Sequence, residues 1–140
     1  MSNKIIQVAV IDDNEQLRYI SVNQLETSGY IVQFQVNNGQ NALKKIEEDG
    51  RLPDVCIVEG DFGIVKLLLE KHPNLKVLFS STDDHEASVT DTLKAGVSGY
   101  ALKYADPDEI VTAVKALAEN GRYFSLGISG IARAYFIKQS

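Results

Sequence analysis

Five residues suited to holding a phosphoryl group or its counter-ion each stand at the end of a short apolar run. Asp12 and Asp13 follow the run 5–11, Glu59 follows 55–58, Ser81 closes the run that begins at Val77, and Lys103 follows 99–102. Carboxylates brought close together repel one another unless a cation neutralises them. An oxygen-only set suits Mg²⁺, which keeps several waters and takes one or two carboxylates plus phosphoryl oxygens. A lysine and a hydroxyl facing such an ion are what a phosphoryl group requires around it. The chemistry therefore depends on a fold that gathers the ends of several separate strands at one rim.

The hydropathy pattern supplies that fold. Residues 5–11 read as a buried strand, 31–36 alternate as a half-exposed strand near a sheet edge should, and 55–58 are continuously apolar like a central parallel strand. Residues 77–79 and 99–102 read as two more strands. Between them lie helical patterns: Leu17, Ile20, Ser21, Gln24 and Leu25 up to Gly29; Ala42, Leu43 and Ile46 from Asn38-Gly39 to Gly50; Ile64, Leu67 and Leu68; and Val89 and Leu93 up to Ala95-Gly96. Asp106-Pro107-Asp108-Glu109 opens a fifth helix with a cap, a first-turn proline and a capping-box Glu, and Ile110, Val114, Leu117 and Ala118 form its buried face up to Gly121. Asp83-Asp84 reads as the N-terminal cap of the fourth helix, and His72 and His85 as residues of solvated helix ends. Alternating strands and helices predict an α/β protein, a flavodoxin-like (βα)5 doubly wound parallel sheet in the order 2-1-3-4-5. Its switch point lies between the first and third strands, where Asp12, Asp13 and Glu59 end.

The chain has 140 residues with 44% hydrophobic and 24% charged side chains, enough for one ordinary core. Its lone cysteine, Cys56, cannot close an internal disulfide; it reads as inert core and fits a reducing, cytoplasmic setting. No apolar run approaches a membrane span. The net charge of −5 is uneven. Residues 1–121 hold 11 Lys/Arg against all 19 Asp/Glu, which gives −8, whereas 122–140 carry only Arg122, Arg133 and Lys138. That balance disfavours direct nucleic-acid binding by the body and marks the tail as a different kind of segment. In the tail, Ile128, Ile131, Ala132, Tyr135 and Phe136 form one amphipathic stripe. A division into 1–124 and a C-terminal helix or linker over 125–140 follows. The helix either packs back on the body or joins two copies into a homodimer.

The segments Val10-Ile11-Asp12-Asp13-Asn14, Leu52-Pro53-Asp54-Val55, Ala95-Gly96-Val97-Ser98-Gly99-Tyr100 and Ala101-Leu102-Lys103, in this order, resemble the CheY-like receiver domains of two-component response regulators. The stretch from Leu93 to Tyr123 is most similar to the NarL/LuxR-type branch, with Tyr104 where many other receivers carry proline. The resemblance implies phosphotransfer from a sensor histidine kinase, or input from another signalling protein, with Mg²⁺ held by the acid pair. It makes Asp13 the direct metal ligand, Asp12 the water-mediated one and Glu59 the residue at the acceptor position. Ser81 becomes the hydroxyl and Lys103 the cation at the phosphoryl group, and Tyr100 the aromatic whose rotation reports the state. It also implies a DNA-binding output domain outside this chain.

Two departures bear on that switch. The acceptor position holds glutamate, one methylene longer than aspartate, and misplacing a reacting group by about 1 Å costs on the order of 10²-fold in rate. The Met-Pro-Gly-Met-Asp-Gly-like stretch of the family is absent, with Gly60-Asp61-Phe62-Gly63 in its place. Asp61 is a rival acceptor only if a strand runs through Gly60, which a central strand disfavours. The expectation is a pseudo-receiver with impaired or absent phosphorylation and a transcriptional output. Its rivals are a phosphoryl-transfer or phosphatase enzyme using the same acids, and a flavin binder, which Asp12-Asp13-Asn14-Glu15 would repel.

Overall fold

The structure is a computed structural model, and it describes residues 5–103 and 108–139. The expected cap at Asp106-Pro107, and Tyr104, lie outside the described residues. Six strands form one sheet in the order β2-β1-β3-β4-β5-β6, every pairing parallel. They are β1 (Gln7–Ile11), β2 (Ile31–Val36), β3 (Val55–Glu59), β4 (Val77–Ser81), β5 (Gly99–Leu102) and β6 (Tyr123–Phe124). The order expected for the first five holds, and β6 extends it at the far edge.

Because strand side chains alternate, each central strand feeds two cores. Val8, Val10, Val55 and Ile57 point to one face, where α1 (Glu15–Thr27) and α5 (Asp108–Ala118) cover them with Val22, Leu25, Val114 and Leu117. Ala9, Ile11, Cys56 and Val58 point to the other, under α2 (Gly39–Asp49), α3 (Phe62–Lys71), α4 (Glu86–Lys94) and α6 (Leu126–Gln139). β2 is an edge strand with only Phe34 buried, as its alternation predicts.

Helix starts follow local side-chain chemistry. Asn14 Oδ1 accepts the Leu17 N–H at 3.0 Å, Asn38 Oδ1 the Asn41 N–H at 2.8 Å and Asp61 Oδ1 the Gly63 N–H at 2.8 Å, each supplying a donor that a helix N-terminus leaves unpaired. At α4 the cap differs from expectation: His85 occupies the cap position, and Asp83 instead accepts the His85 N–H. α1 also presents a different face from the one its apolar spacing suggests. Val22 and Leu25 are buried, whereas Leu17 and Ile20 are exposed.

The tail belongs to this sandwich. The Tyr123 N–H reaches the Ser98 carbonyl and the Ser125 N–H the Tyr100 carbonyl, which zips β6 onto β5. Gly99 permits the approach: a Cβ there would lie 2.9 Å from the Tyr123 carbonyl oxygen. α6 then lies against α4, with Ile128 and Ala132 buried in the same core as Val89 and Leu93, and Ile131, Tyr135 and Phe136 packed partly against it. The Arg122 guanidinium covers the Phe136 ring at 3.9 Å. The stripe read from the sequence thus meets its own body.

Candidate functional site

The register places the acids as the topology requires. Ile11 pairs with Val58, so Asp12 emerges beside Glu59 at the switch point. Together with Asp13, Asp61 and Lys103 they line an open cleft of about 920 Å³. Its other walls come from the start of α1, the β2–α2 connection at Asn37 and Asn38 with the first residues of α2, and the first turns of α3. Gly60 turns the chain out of β3 with φ +74°, a conformation open to glycine, and α3 begins only two residues later.

Asp12 is buried and spoken for on both sides. Its Oδ1 accepts the Asn14 N–H at 2.9 Å, and its carbonyl accepts Arg18 Nη1 at 2.8 Å, while Arg18 Nε reaches Gln35 Oε1 at 3.1 Å. Asp13 is exposed at the rim. Glu59 is the unusual member. Its side chain is only 9% exposed, and Oε2 has no hydrogen-bond partner among the described residues. The nearest cation is Lys103 Nζ at 4.0 Å, itself partly exposed. Burial pushes the Glu59 carboxyl above its ordinary range; a hydrogen bond from the Ser80 hydroxyl and the Lys103 charge pull it down, and the Asp12 charge raises it further.

Ser81 lies one cavity away. Its Oγ accepts the Asp83 N–H at 3.1 Å, and it lines a smaller pocket of about 210 Å³ with Phe79, Thr92 and Tyr100, walled off from the acid cleft by Gly60 and Phe62. Tyr100 is fully buried, its ring edge-on to Phe79 at 5.4 Å and 80°, its hydroxyl donating to the Asp83 carbonyl. The structure therefore joins Asp12, Asp13, Glu59 and Lys103 in one cleft, and Ser81 with Tyr100 in its neighbour. Ser80, opposite Glu59 in the β3–β4 register, is the contact that sequence reading overlooked. Only the register reveals it.

The donor set can be tested against a metal. No three acidic, histidine or cysteine side chains among the described residues converge as a metal cage. One Asp12 oxygen is held by Asn14, and Glu59 Oε2 faces an ammonium group. The described residues do not fit a three-carboxylate magnesium site in this arrangement.

Comparison with known proteins agrees with the fold. Residues 8–115 match the response regulator receiver domain family. The transcriptional regulatory protein DegU of Brevibacillus brevis is 34% identical over 128 residues, covering 84% of this chain and 52% of the relative. The response regulator GacA of Pseudomonas viridiflava is 30% identical over 128 residues, covering 86% and 59%. The solved receiver domain of the putative response regulator NarL of Mycobacterium tuberculosis superposes with a TM-score of 0.73 at 28% identity, covering 83% of this chain and 98% of that one. The chain belongs to the CheY-like receiver domains of two-component response regulators, in their NarL/LuxR-type branch. It spans about half the length of the curated relatives it matches.

Proposed function

We propose that this receiver is atypical: Glu59 stands at the acceptor position as a standing carboxylate, and phosphotransfer to it is impaired or absent. The observation that carries this reading is the buried Glu59 Oε2, 4.0 Å from Lys103 Nζ and without a hydrogen bond among the described residues. The extra methylene brings a fixed negative charge towards the lysine, where a phosphorylated aspartate would bring a transferred one. The trimmed connection to α3 supports the same reading, since it removes the chain that would frame a phosphoryl group over Glu59.

In this reading Lys103 is the counter-charge, and Asp12 and Asp13 hold whatever cation enters. Ser81 and Tyr100 form the switch, with Tyr100 turned inward on the Asp83 carbonyl. The domain is then held in one signalling state and acts by contact rather than as an enzyme. Its inputs are a sensor histidine kinase or another signalling protein in the cytoplasm. Its output is transcriptional, through a DNA-binding domain outside this chain, with a homodimer as the assembled form; the name of DegU, a transcriptional regulatory protein, supports the transcriptional output.

Incubation with a small phosphodonor and Mg²⁺, followed by intact-mass and peptide mapping, tests the proposal. The native chain should gain no phosphoryl group, and Glu59→Asp should gain one. Labelling of Glu59 in the native chain refutes the reading. Titrating Mg²⁺ alone in the same experiment reads whether Asp12 and Asp13 take the ion without Glu59.

A further inference from the structure

The seam between α2 and α3 has a second opening, at the end of the sheet away from the acids. Near the acid rim the two helices are closed on one another: a Cβ on Gly39 would stand 2.9 Å from Leu67 Cδ2. At their C-terminal ends, beside the loops that enter β3 and β4, they leave a groove of about 480 Å³. Both helices stop there for local reasons. Gly50, at φ +68°, ends α2 and turns the chain so that Arg51 and Leu52 line the groove. Pro73 keeps His72 out of the helical region, at φ −132° and ψ 77°, so α3 ends at Lys71 and both residues line the opposite side. Gln33 Nε2 fastens the Gly50 turn to β2, donating to Asp49 Oδ2 at 3.1 Å and to the Arg51 carbonyl at 3.2 Å.

The floor of this groove is apolar: Ile46 is buried, and Leu43 and Leu52 are half-buried. Its rim is cationic. Arg51 and Lys71, both exposed, line it against a single carboxylate, Glu47. Among the described residues neither the guanidinium nor the ammonium pairs with a carboxylate, and Asp49, two residues ahead of Arg51, is held by Gln33. Residues 1–121 sum to −8, so a lining with two cations to one acid inverts the charge of the body around it. Cations beside helix C-termini offset the carbonyl dipoles. That role does not call for an apolar floor between them.

We propose that this groove binds a small amphipathic carboxylic acid, its carboxylate on the Arg51 guanidinium and the Lys71 ammonium and its apolar body on Leu43, Ile46 and Leu52. The size suits such a ligand, since small-molecule pockets run from roughly 300 to 1,000 Å³ and set apolar walls around a few polar groups. The rim selects the head: a planar guanidinium takes a carboxylate through two parallel hydrogen bonds, the ammonium adds another donor, and a cationic ligand meets like charge. The floor selects the body, which an inorganic anion lacks. Bound there, the acid bridges the ends of α2 and α3 and supplies an input that does not pass through Glu59 or Lys103. The inference is independent of the atypical-receiver reading.

The test uses the full 140-residue chain, ¹⁵N-labelled, and a panel of aryl and branched-alkyl carboxylates, each paired with its neutral primary amide at matched ionic strength. At least one carboxylate should shift the Gly50, Arg51, Leu52 and His72 amide resonances saturably, with its amide partner at least tenfold weaker. The double variant Arg51→Gln, Lys71→Gln changes two exposed side chains, its own spectrum reports that it is folded, and it should weaken the same acid at least tenfold. Three results overturn the proposal: no carboxylate perturbs the groove, acid and amide bind alike, or the double variant binds unchanged. A further arm offers a short peptide carrying a leucine flanked by aspartates. Saturation of the groove by that peptide where no free acid binds also overturns the proposal and assigns the groove to a protein partner.

Discussion

The two ends of the rim treat polar groups in opposite ways. On the β4–β5–β6 side, the hydroxyls of Ser81, Tyr100 and Ser125 all have partners. Ser125 receives the Leu102 N–H at 2.8 Å and donates to the Glu109 carboxylate, and Tyr100 donates to the Asp83 carbonyl. On the β1–β3 side, Glu59 is buried with Oε2 lacking a hydrogen bond among the described residues; Lys103 Nζ stands 4.0 Å away, and Asp12, Asp13 and Asp61 share the cleft. Paired buried polar groups fix a structure, whereas an unpaired one costs stability and persists where something else requires it. The first region is built to hold β6 and α6 on the domain. The second leaves Glu59 Oε2 without a hydrogen bond among the described residues, and the fold tolerates the cost.

The largest expected effect tests the first half of that contrast. Ile128 is fully buried between α6 and the sheet, in the same cluster as Val89 and Leu93. Ile128→Ala should lower unfolding stability by about 2–5 kcal/mol, the range for deleting a buried aliphatic side chain. Urea denaturation followed by circular dichroism measures it. A loss of only a few tenths would mean that α6 rests loosely on the body, and the contrast between the two ends would fall.

A smaller effect of opposite sign tests the second half. Glu59→Gln keeps the shape and removes a charge that burial disfavours, so it should raise stability by on the order of 1 kcal/mol near neutral pH. The gain should shrink as the solution is acidified, because the native carboxyl, held above its ordinary range by burial, then takes up a proton itself. A destabilised Glu59→Gln would show that the Lys103 attraction outweighs the burial cost, leaving the acid rim as well satisfied as the other end.

How far each region was legible follows from the same physics. Five strands, their order and the convergence of Asp12, Asp13, Glu59 and Lys103 follow from apolar runs and one topological rule, because parallel βα units allow few arrangements. β6 was not legible: two residues behind Gly121-Arg122 have no periodicity, and the fold marks them only by the bare backbone at Gly99. Ser80 was hidden by register, since pairing across strands cannot be read from either strand alone. The face of α1 differs from its apolar spacing because Leu17 and Ile20 are apolar yet exposed, 39% and 64%, with Leu17 lining the cleft. The sequence motif for the α4 cap pointed to Asp83-Asp84, but the helix starts one residue later, at a cap of His85, and Asp83 accepts the N–H of that cap residue rather than one inside the helix.

That turn carries the smallest effect, and its direction follows from linkage. His85 Nδ1 lies 2.8 Å from Asp83 Oδ1, on the same turn whose Asp83 carbonyl receives Tyr100. The hydrogen bond and charge of Asp83 raise the His85 imidazole above its ordinary value, and the His85 N–H lowers the Asp83 carboxyl. A raised histidine contributes stability that is complete below its unfolded value and lost as pH rises through the folded one. A lowered aspartate contributes stability that is present above its unfolded value and lost as pH falls through the folded one. The pair therefore acts between the ordinary aspartate and histidine ranges. His85→Ala should lower the unfolding midpoint slightly at about pH 5.5 and leave it unchanged at about pH 8. Both partners are solvated, so salt near 1 M should erase the difference. Equal midpoints at both pH values in low salt would leave the Asp83 turn held by the His85 backbone N–H, Tyr100 and Ser81 without help from the imidazole charge, which would sharpen the contrast with the acid rim.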